Sequence, residues 1–502
     1  MSVIASLLQK LSTTNDLGGV LQELKVTLYS IPPSQLQDAI RNVSFEPVFA
    51  CFNSTRRQEL ELGRDILSRM LGGIDPDVVL AQFRDEIYMG MGHPDESIRE
   101  LCIKQVLRLT ESPGCGVQML ASDPDMLSNA IVKVGDDSLG VAKIAISALC
   151  NLGKTTQGQE LMLMPPMLND LKKVAAKSDI IRYRVFEIIT KIASESDTAL
   201  QYVTNSGLIQ DLLKDLNCDD VLIQLNAAEM LTNLAMCQHG LMYLSQQGIV
   251  GRMESMMVEA ESDPLQDFLL PATIKFFGHL ARMEPNEIIE KHTAFLKTTF
   301  NLLSSQDPAM VGVAVDTIGA IGESAAGKRA LDKQGQRMID GVCRIGTLMQ
   351  QPPTEIRSRT LTAIAQLLQI KLEEQNEDLV SLTEKWFNLL HSKPLDTIHS
   401  MCKQPFREIH CPAMSILQAI SNQKWAQILM NSQPGFHEYL LDRSTETDKE
   451  EKEAKFDVIK ALAEAPTSGE IFGRPFLLRL KEFVREGAFY VKVQSEVAFE
   501  AS

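Results

Sequence analysis

Gly322-Glu-Ser-Ala-Ala-Gly327-Lys328 is the segment of this chain that comes nearest to an enzymatic motif, because it satisfies Gly-x4-Gly-Lys. In that loop backbone amides and an ammonium cradle the phosphates of a nucleotide. The same chemistry demands Ser or Thr next, to hold magnesium, and a strand before the loop. Here Arg329 follows, and Val313 to Ile321 has helical spacing, so the segment reads as a glycine turn between two helices. His399, Cys402, His410 and Cys411 lie close enough to suggest zinc, but the neighbours His410 and Cys411 can hardly both turn onto one metal from a regular helix. They read as part of a helix start near Pro405 and Pro412. Gly114-Cys115-Gly116 lacks the third glycine of a dinucleotide fold and reads as a loop, and Glu373-Glu374 sits in a polar stretch that reads as solvated helix face. No His-Glu-x-x-His pair and no Gly-x-Ser-x-Gly elbow occurs. The expectation is no catalytic residue, no cofactor and no metal.

The elements that would carry such residues have a pattern of their own. An apolar residue, a small or apolar one four further on and an apolar one after four more recur about every 42 residues, a period in the HEAT/armadillo range. The stripes are Ile98-Cys102-Val106, Val141-Ala145-Leu149, Ile181-Val185-Ile189, Ile223-Ala227-Leu231, Phe268-Ala272-Phe276, Met310-Ala314-Ile318, Ile356-Thr360-Ile364, Ile409-Ala413-Leu417 and, more weakly, Ala454-Val458-Leu462. One stripe on one helix cannot bury a core alone, so successive repeats must stack. Acidic residues or prolines precede most stripes, at Pro94-Asp95, Asp136-Asp137, Asp179, Asp219-Asp220, Asp263-Pro264, Asp307-Pro308 and Pro352-Pro353, where helices start. Gly207, Gly248 and Gly335 follow apolar stretches and precede others, the sign of a glycine-ended helix and hence of a three-helix, armadillo-like repeat. The fold expected is all-α, a HEAT/armadillo-like right-handed α-solenoid.

Along the chain, 1–94 reads as N-terminal capping repeats, with Val20-Leu24-Leu28 and Leu62-Ile66-Met70, and 95–441 as the repeats proper. Residues 442–455 (DRSTETDKEEKEAK) read as a charged mobile loop without apolar periodicity before Phe456. Residues 456–502 read as a C-terminal helical cap, with a helix to Glu486 and an extended Ala488 to Lys492 laid across the last repeat. A net charge of -16 argues against nucleic acid and for a basic protein partner. Nine cysteines without a paired framework suit a reducing compartment. The N-terminus lacks the pattern of a secretory signal and no apolar run reaches membrane-span length, so the cytoplasm or nucleus is expected, without a membrane.

In stacked repeats the striped helix usually lines the inner curve, where its off-stripe positions meet a ligand. Counting six on from each stripe gives Lys104, Ser147, Glu187, Glu229, Ile274, Asp316 and Thr362; ten on gives Arg108, Asn151, Lys191, Asn233, Gly278, Ala320 and Gln366. The two columns are four residues apart and share a face. Asn151 and Asn233 are similar to the asparagine by which armadillo repeats bond an extended backbone, but two such residues make no import-type ladder. Asn151, Glu187, Lys191, Glu229, Asn233 and Asp316 are the candidate protein-binding residues, with Glu187, Glu229 and Asp316 supplying negative charge.

The text of the chain also carries a resemblance. Asp179-Ile-Ile-Arg-Tyr-Arg-Val-Phe-Glu187, the Leu-Pro-Ala-Thr-Ile-Lys-Phe-Phe-Gly within Phe268 to Leu280, Ser305 to Asp316, Trp425-Ala-Gln-Ile-Leu-Met, Pro434-Gly435-Phe436 and the Gly487 to Lys492 end together resemble the family of 26S proteasome non-ATPase regulatory subunit 5. The resemblance runs over essentially the full length, least in the part before Pro94. It implies a chaperone for assembly of the proteasome regulatory particle base, absent from the mature particle. It further implies binding of the C-terminal domain of the ATPase regulatory subunit 7, in a module with regulatory subunit 4 and non-ATPase regulatory subunit 2. A generic armadillo/HEAT adaptor for transport or trafficking is the alternative that the periodicity alone allows.

Overall fold

In the computed structural model the described residues are 3–490, without 15, 42, 113–114 and 263–266, and among them are 33 α-helices and no strand. The stripes explain the helices. The second and third residues of every stripe are buried, from Cys102 and Val106 to Val458 and Leu462, and the first is buried or half-buried in all but one. That one is Phe268, which is 66% exposed because it lies in a 3-10 turn, Asp267–Leu269, ahead of the helix Leu270–Met283.

Helix starts follow the acidic signals. Asp95 accepts from the Ser97 amide at 2.9 Å, Asp220 from the Leu222 amide at 2.9 Å and Asp307 from the Ala309 amide at 2.8 Å, each satisfying an N–H that the first turn leaves free. Before Asp179 the cap is Ser178, bonded to the Ile181 amide. Asp136 does something else: it accepts from Arg99 Nη2 at 2.8 Å and from the Ser138 amide at 3.0 Å, tying one repeat's helix to the start of the next. The expected Asp263-Pro264 signal lies outside the described residues. Gly207, Gly248 and Gly335 have φ of 83°, 74° and 58°, so each expected glycine turn adopts the left-handed region that a side chain would strain.

The helices form two compact units, 1–243 and 244–502. Within the first, Leu17–Ser30 packs on Arg57–Gly72, and Glu96–Thr110, Leu139–Leu152, Asp179–Glu195 and Val221–Ala235 pack each on the next. Within the second, Leu270–Met283, Pro308–Ile321, Thr354–Leu368, Arg407–Ile420, Lys449–Glu464 and Arg474–Glu486 do the same. Each repeat therefore covers the apolar stripe of its neighbour, the one-dimensional logic of an all-α solenoid. Among the described residues no single helix is long and apolar enough to cross a membrane.

The charge run corrects the expectation of a loop over 442–455. Asp448 caps a helix, Lys449–Glu464, that begins inside it. Its charges form the exposed side, with Glu450 3.1 Å from Arg407, while Lys455, Val458, Ile459 and Leu462 turn inward. Lys455 reads as solvated in the sequence because its type is charged. It is buried because Glu446, also buried, meets it at 2.8 Å. At the C-terminus Arg443 donates to the Gly487 carbonyl and lies 5.3 Å from the Tyr490 ring, while Phe489 and Tyr490 stay 54% and 42% exposed; Val491 and Lys492 lie outside the described residues.

Candidate functional site

The apparent phosphate loop is a structural lock. Gly322 is the C-cap of Pro308–Ile321, Ser324 caps the next helix at the Gly327 amide, and Lys328 turns back so that its ammonium donates to the carbonyls of Gly322, Glu323 (3.3 Å) and Gln366 (3.1 Å). An ammonium has three donors, so none remains for a phosphate. The same device recurs with other donors: Gln159 Nε2 bonds the C-cap carbonyl of Gly153 at 2.9 Å, and Gln427 Nε2 that of Ser421 at 2.8 Å. Gly158 and Gly327 are needed because a Cβ would stand 1.9 Å from the Leu152 carbonyl oxygen and 1.7 Å from that of Ile321. The glycines and lysine of this segment thus serve helix-to-helix closure.

Burial lowers the Lys328 pKa to about 8 from the ordinary 10.5. The unfolded chain then binds the proton more tightly than the folded one. Stability contributed by this residue is lowest below pH 8, where it is charged in both states, and rises as pH climbs from 8 to 10.5. The stability of the parent relative to Lys328→Met, from denaturant titrations at pH 7.5 and 10, should therefore shift in the parent's favour with pH, by about 2 to 3 kcal/mol. A pH-independent difference would contradict the buried, depressed lysine.

The His/Cys group does not converge. His399 is buried edge-on against Phe436 and Tyr439, with centroids at 5.5 and 5.1 Å, and burial pushes its pKa down to about 4. Among the described residues no group of three or more His, Cys, Asp or Glu side chains is placed to hold a metal. Gly114 lies outside the described residues, and Cys115 and Gly116 open the helix Cys115–Ser122, so the expected loop is corrected there.

In unit 1–243 five of the candidate residues lie on three successive helices. Leu139–Leu152, Asp179–Glu195 and Val221–Ala235 pack in succession by their stripes, which leaves Asn151 and Glu187 half-buried and Lys191, Glu229 and Asn233 exposed. Asn151 Oδ1 accepts from Lys154 Nζ at 2.9 Å, and Glu187 from Lys191 Nζ at 2.6 Å. Glu229 and Asn233 make no side-chain hydrogen bond or ion pair among the described residues, so Glu229 is the carboxylate with most to offer a partner. Asp316 belongs to unit 244–502, where both its oxygens accept from Arg359, the shortest contact being 2.7 Å. The columns fail in one repeat: Ile274 and Gly278 are buried, because the residues of Leu270–Met283 are buried around nearly its whole circumference.

Sequence reasoning missed an apolar border to this face. Leu139, Ile180 and Leu222, in the first turns of the same three helices, are 55%, 72% and 66% exposed. Ile180 and Leu222 precede Glu187 and Glu229 by seven residues, two helical turns, and so share their face. The doubled apolar pairs Ile180-Ile181 and Leu222-Ile223 are the signal, since only the second of each belongs to the stripe.

The stacked helices and their recurring stripes define the class, that of helical-repeat proteins. The model of the family described as proteasome non-ATPase 26S subunit matches residues 2–502. The chain is 39% identical to 26S proteasome non-ATPase regulatory subunit 5 of Homo sapiens over 96% of both chains, 39% identical to that of Bos taurus over the same shares, and 37% identical to that of Mus musculus, again over 96% of each. The chain belongs to the 26S proteasome non-ATPase regulatory subunit 5 family.

Proposed function

We propose that this protein is a non-catalytic chaperone for assembly of the proteasome regulatory particle base, acting in the cytoplasm or nucleus. It binds the C-terminal domain of the ATPase regulatory subunit 7, within a module that also holds regulatory subunit 4 and non-ATPase regulatory subunit 2, and leaves before or as the mature particle forms. The observation that carries the reading is the family membership over 96% of the chain. It is supported by a face on which the exposed Ile180, Leu222 and Glu229 stand together, since apolar contacts bordered by charge suit a protein partner. The saturated ammonium of Lys328 favours binding over nucleotide chemistry.

Reversal of Glu187 and Glu229 to Lys tests the face. Both lie off the stripe, and the surface pair Glu187–Lys191 contributes little, so the fold should persist. Calorimetric titration of the ATPase C-terminal domain should show binding weakened about tenfold or more, with the loss shrinking as salt rises. Equal affinities with helicity retained would move the interface off this face.

A further inference from the structure

A cavity of about 250 Å³ opens in unit 1–243 where the helices Leu17–Ser30, Arg57–Gly72 and Glu96–Thr110 come together. Its walls include Tyr29, Arg64, Asp65, Ser68, Glu100 and Lys104. Asp65 is already spent. Its Oδ1 accepts from Arg64 Nε at 3.0 Å and from Arg64 Nη2 at 2.6 Å, and its Oδ2 accepts from Lys25 at 2.5 Å. One carboxylate between two cations leaves a positive charge over, and Arg64 Nη1 keeps its N–H donors.

The other unspent groups are donors as well. Lys104, the first of the positions counted six on from a stripe, is exposed and makes no hydrogen bond or ion pair among the described residues. The hydroxyls of Ser68 and Tyr29, both exposed side chains, likewise have no partner there. Glu100 is the one opposing group. It stands four residues before Lys104, a spacing at which a helical ion pair can close, yet no such pair forms. Lys104 and Glu100 balance each other in charge, so the excess in the cavity is the single positive charge of the Lys25–Asp65–Arg64 group.

A cation would meet Arg64 and Lys104, and an apolar guest would take water from both without returning a bond. A carboxylate offers two oxygens with about four lone-pair sites, which the guanidinium nitrogen, the ammonium and the two hydroxyls can fill. Its single charge also matches the excess, whereas a phosphate brings about 1.5 to 2 negative charges and sets the surplus against Glu100. We propose that this cavity receives the carboxylate of an acidic side chain presented by a protein partner, held by Lys104 and Arg64 Nη1 with the Ser68 and Tyr29 hydroxyls. The inference goes beyond the assembly role and does not depend on which partner supplies the acid.

Isothermal titration of the full chain at low salt with N-acetyl-glutamate methylamide tests it, with the glutamine analogue as the uncharged control and the phosphoserine analogue as the competing anion. Saturable binding of the glutamate probe is expected, with none of the glutamine analogue and weaker binding of the phosphoserine analogue. Lys104→Gln, an exposed position off the stripe, should weaken the glutamate probe about tenfold by removing a charge-assisted hydrogen bond. Glu100→Gln should instead tighten it about threefold, because it takes the opposing charge from the wall. No saturable binding to the parent, equal binding of the glutamine analogue, tighter binding of the phosphoserine analogue or an unchanged affinity in Lys104→Gln overturns the proposal. Capture of proteasomal ATPases is a separate readout, so failure of the assembly reading leaves this result standing, and the reverse.

Discussion

Ala227→Asp is expected to unfold its part of the chain. Ala227 is fully buried on Val221–Ala235, in the seam with Asp179–Glu195, and the substitution sets a carboxylate there with no partner. An unpaired buried charge costs several kcal/mol, and the larger side chain also pushes the two helices apart. In a stack whose repeats hold one another, damage to one interface spreads to its neighbours. Against a total stability of about 5–15 kcal/mol, this is enough to lose the fold of the repeats concerned at physiological temperature. Thermal melts followed by circular dichroism should show an early or missing transition with reduced helicity. A variant that melts like its parent would mean that the stripe is not the core.

Glu446→Ala should rank next, because it leaves the Lys455 ammonium buried among Thr445, the Asp442 carbonyl and the Tyr439 ring, 4.4 Å from its centroid, without its counter-charge. Breaking one side of a buried pair costs about 3–5 kcal/mol, whereas replacing both partners by apolar side chains is often close to neutral. The double variant Glu446→Leu with Lys455→Met should therefore recover most of the loss in a denaturant titration, although it forfeits the bonds of Glu446 to Tyr439 and Thr445. A single variant as stable as the parent would show that the pair is not dry. A double variant as unstable as the single would show that those two bonds, rather than the charge, decide.

The two regions differ in how far they were legible in the sequence. Ala227 could be found from periodicity alone, since a small residue in the middle of a helical stripe has only one use in a stacked fold. The same holds for Asp95, Asp220 and Asp307, whose carboxylates cap the helices they precede. Glu446 and Lys455 could not be found that way. Their burial depends on a contact closed across nine residues by a loop, and hydropathy assigns each of them to water. The Ile274 and Gly278 positions fail for another reason: counting assumes that every striped helix keeps one face free, and Leu270–Met283 is buried around nearly its whole circumference. Gly322 to Lys328 matched a known motif by letter, but the type of element before it, a helix instead of a strand, separated the two readings. The candidate face was half legible. Arithmetic located Glu187, Lys191, Glu229 and Asn233 on one side, and the same four-residue spacing pairs Glu187 with Lys191 while giving Glu229 only Asn233. It did not mark Ile180 and Leu222 as exposed, because apolar residues beside a stripe look like more stripe.

The central claim is that the chain works as a binding chaperone of the proteasome base. Its most direct test is isolation of the protein from its own cells under native conditions, with every co-purifying chain identified by mass spectrometry. The account predicts regulatory subunits 7 and 4 and non-ATPase regulatory subunit 2 in comparable amounts, without subunits of the core particle. Recovery of transport or trafficking cargo with no proteasomal ATPase would contradict it.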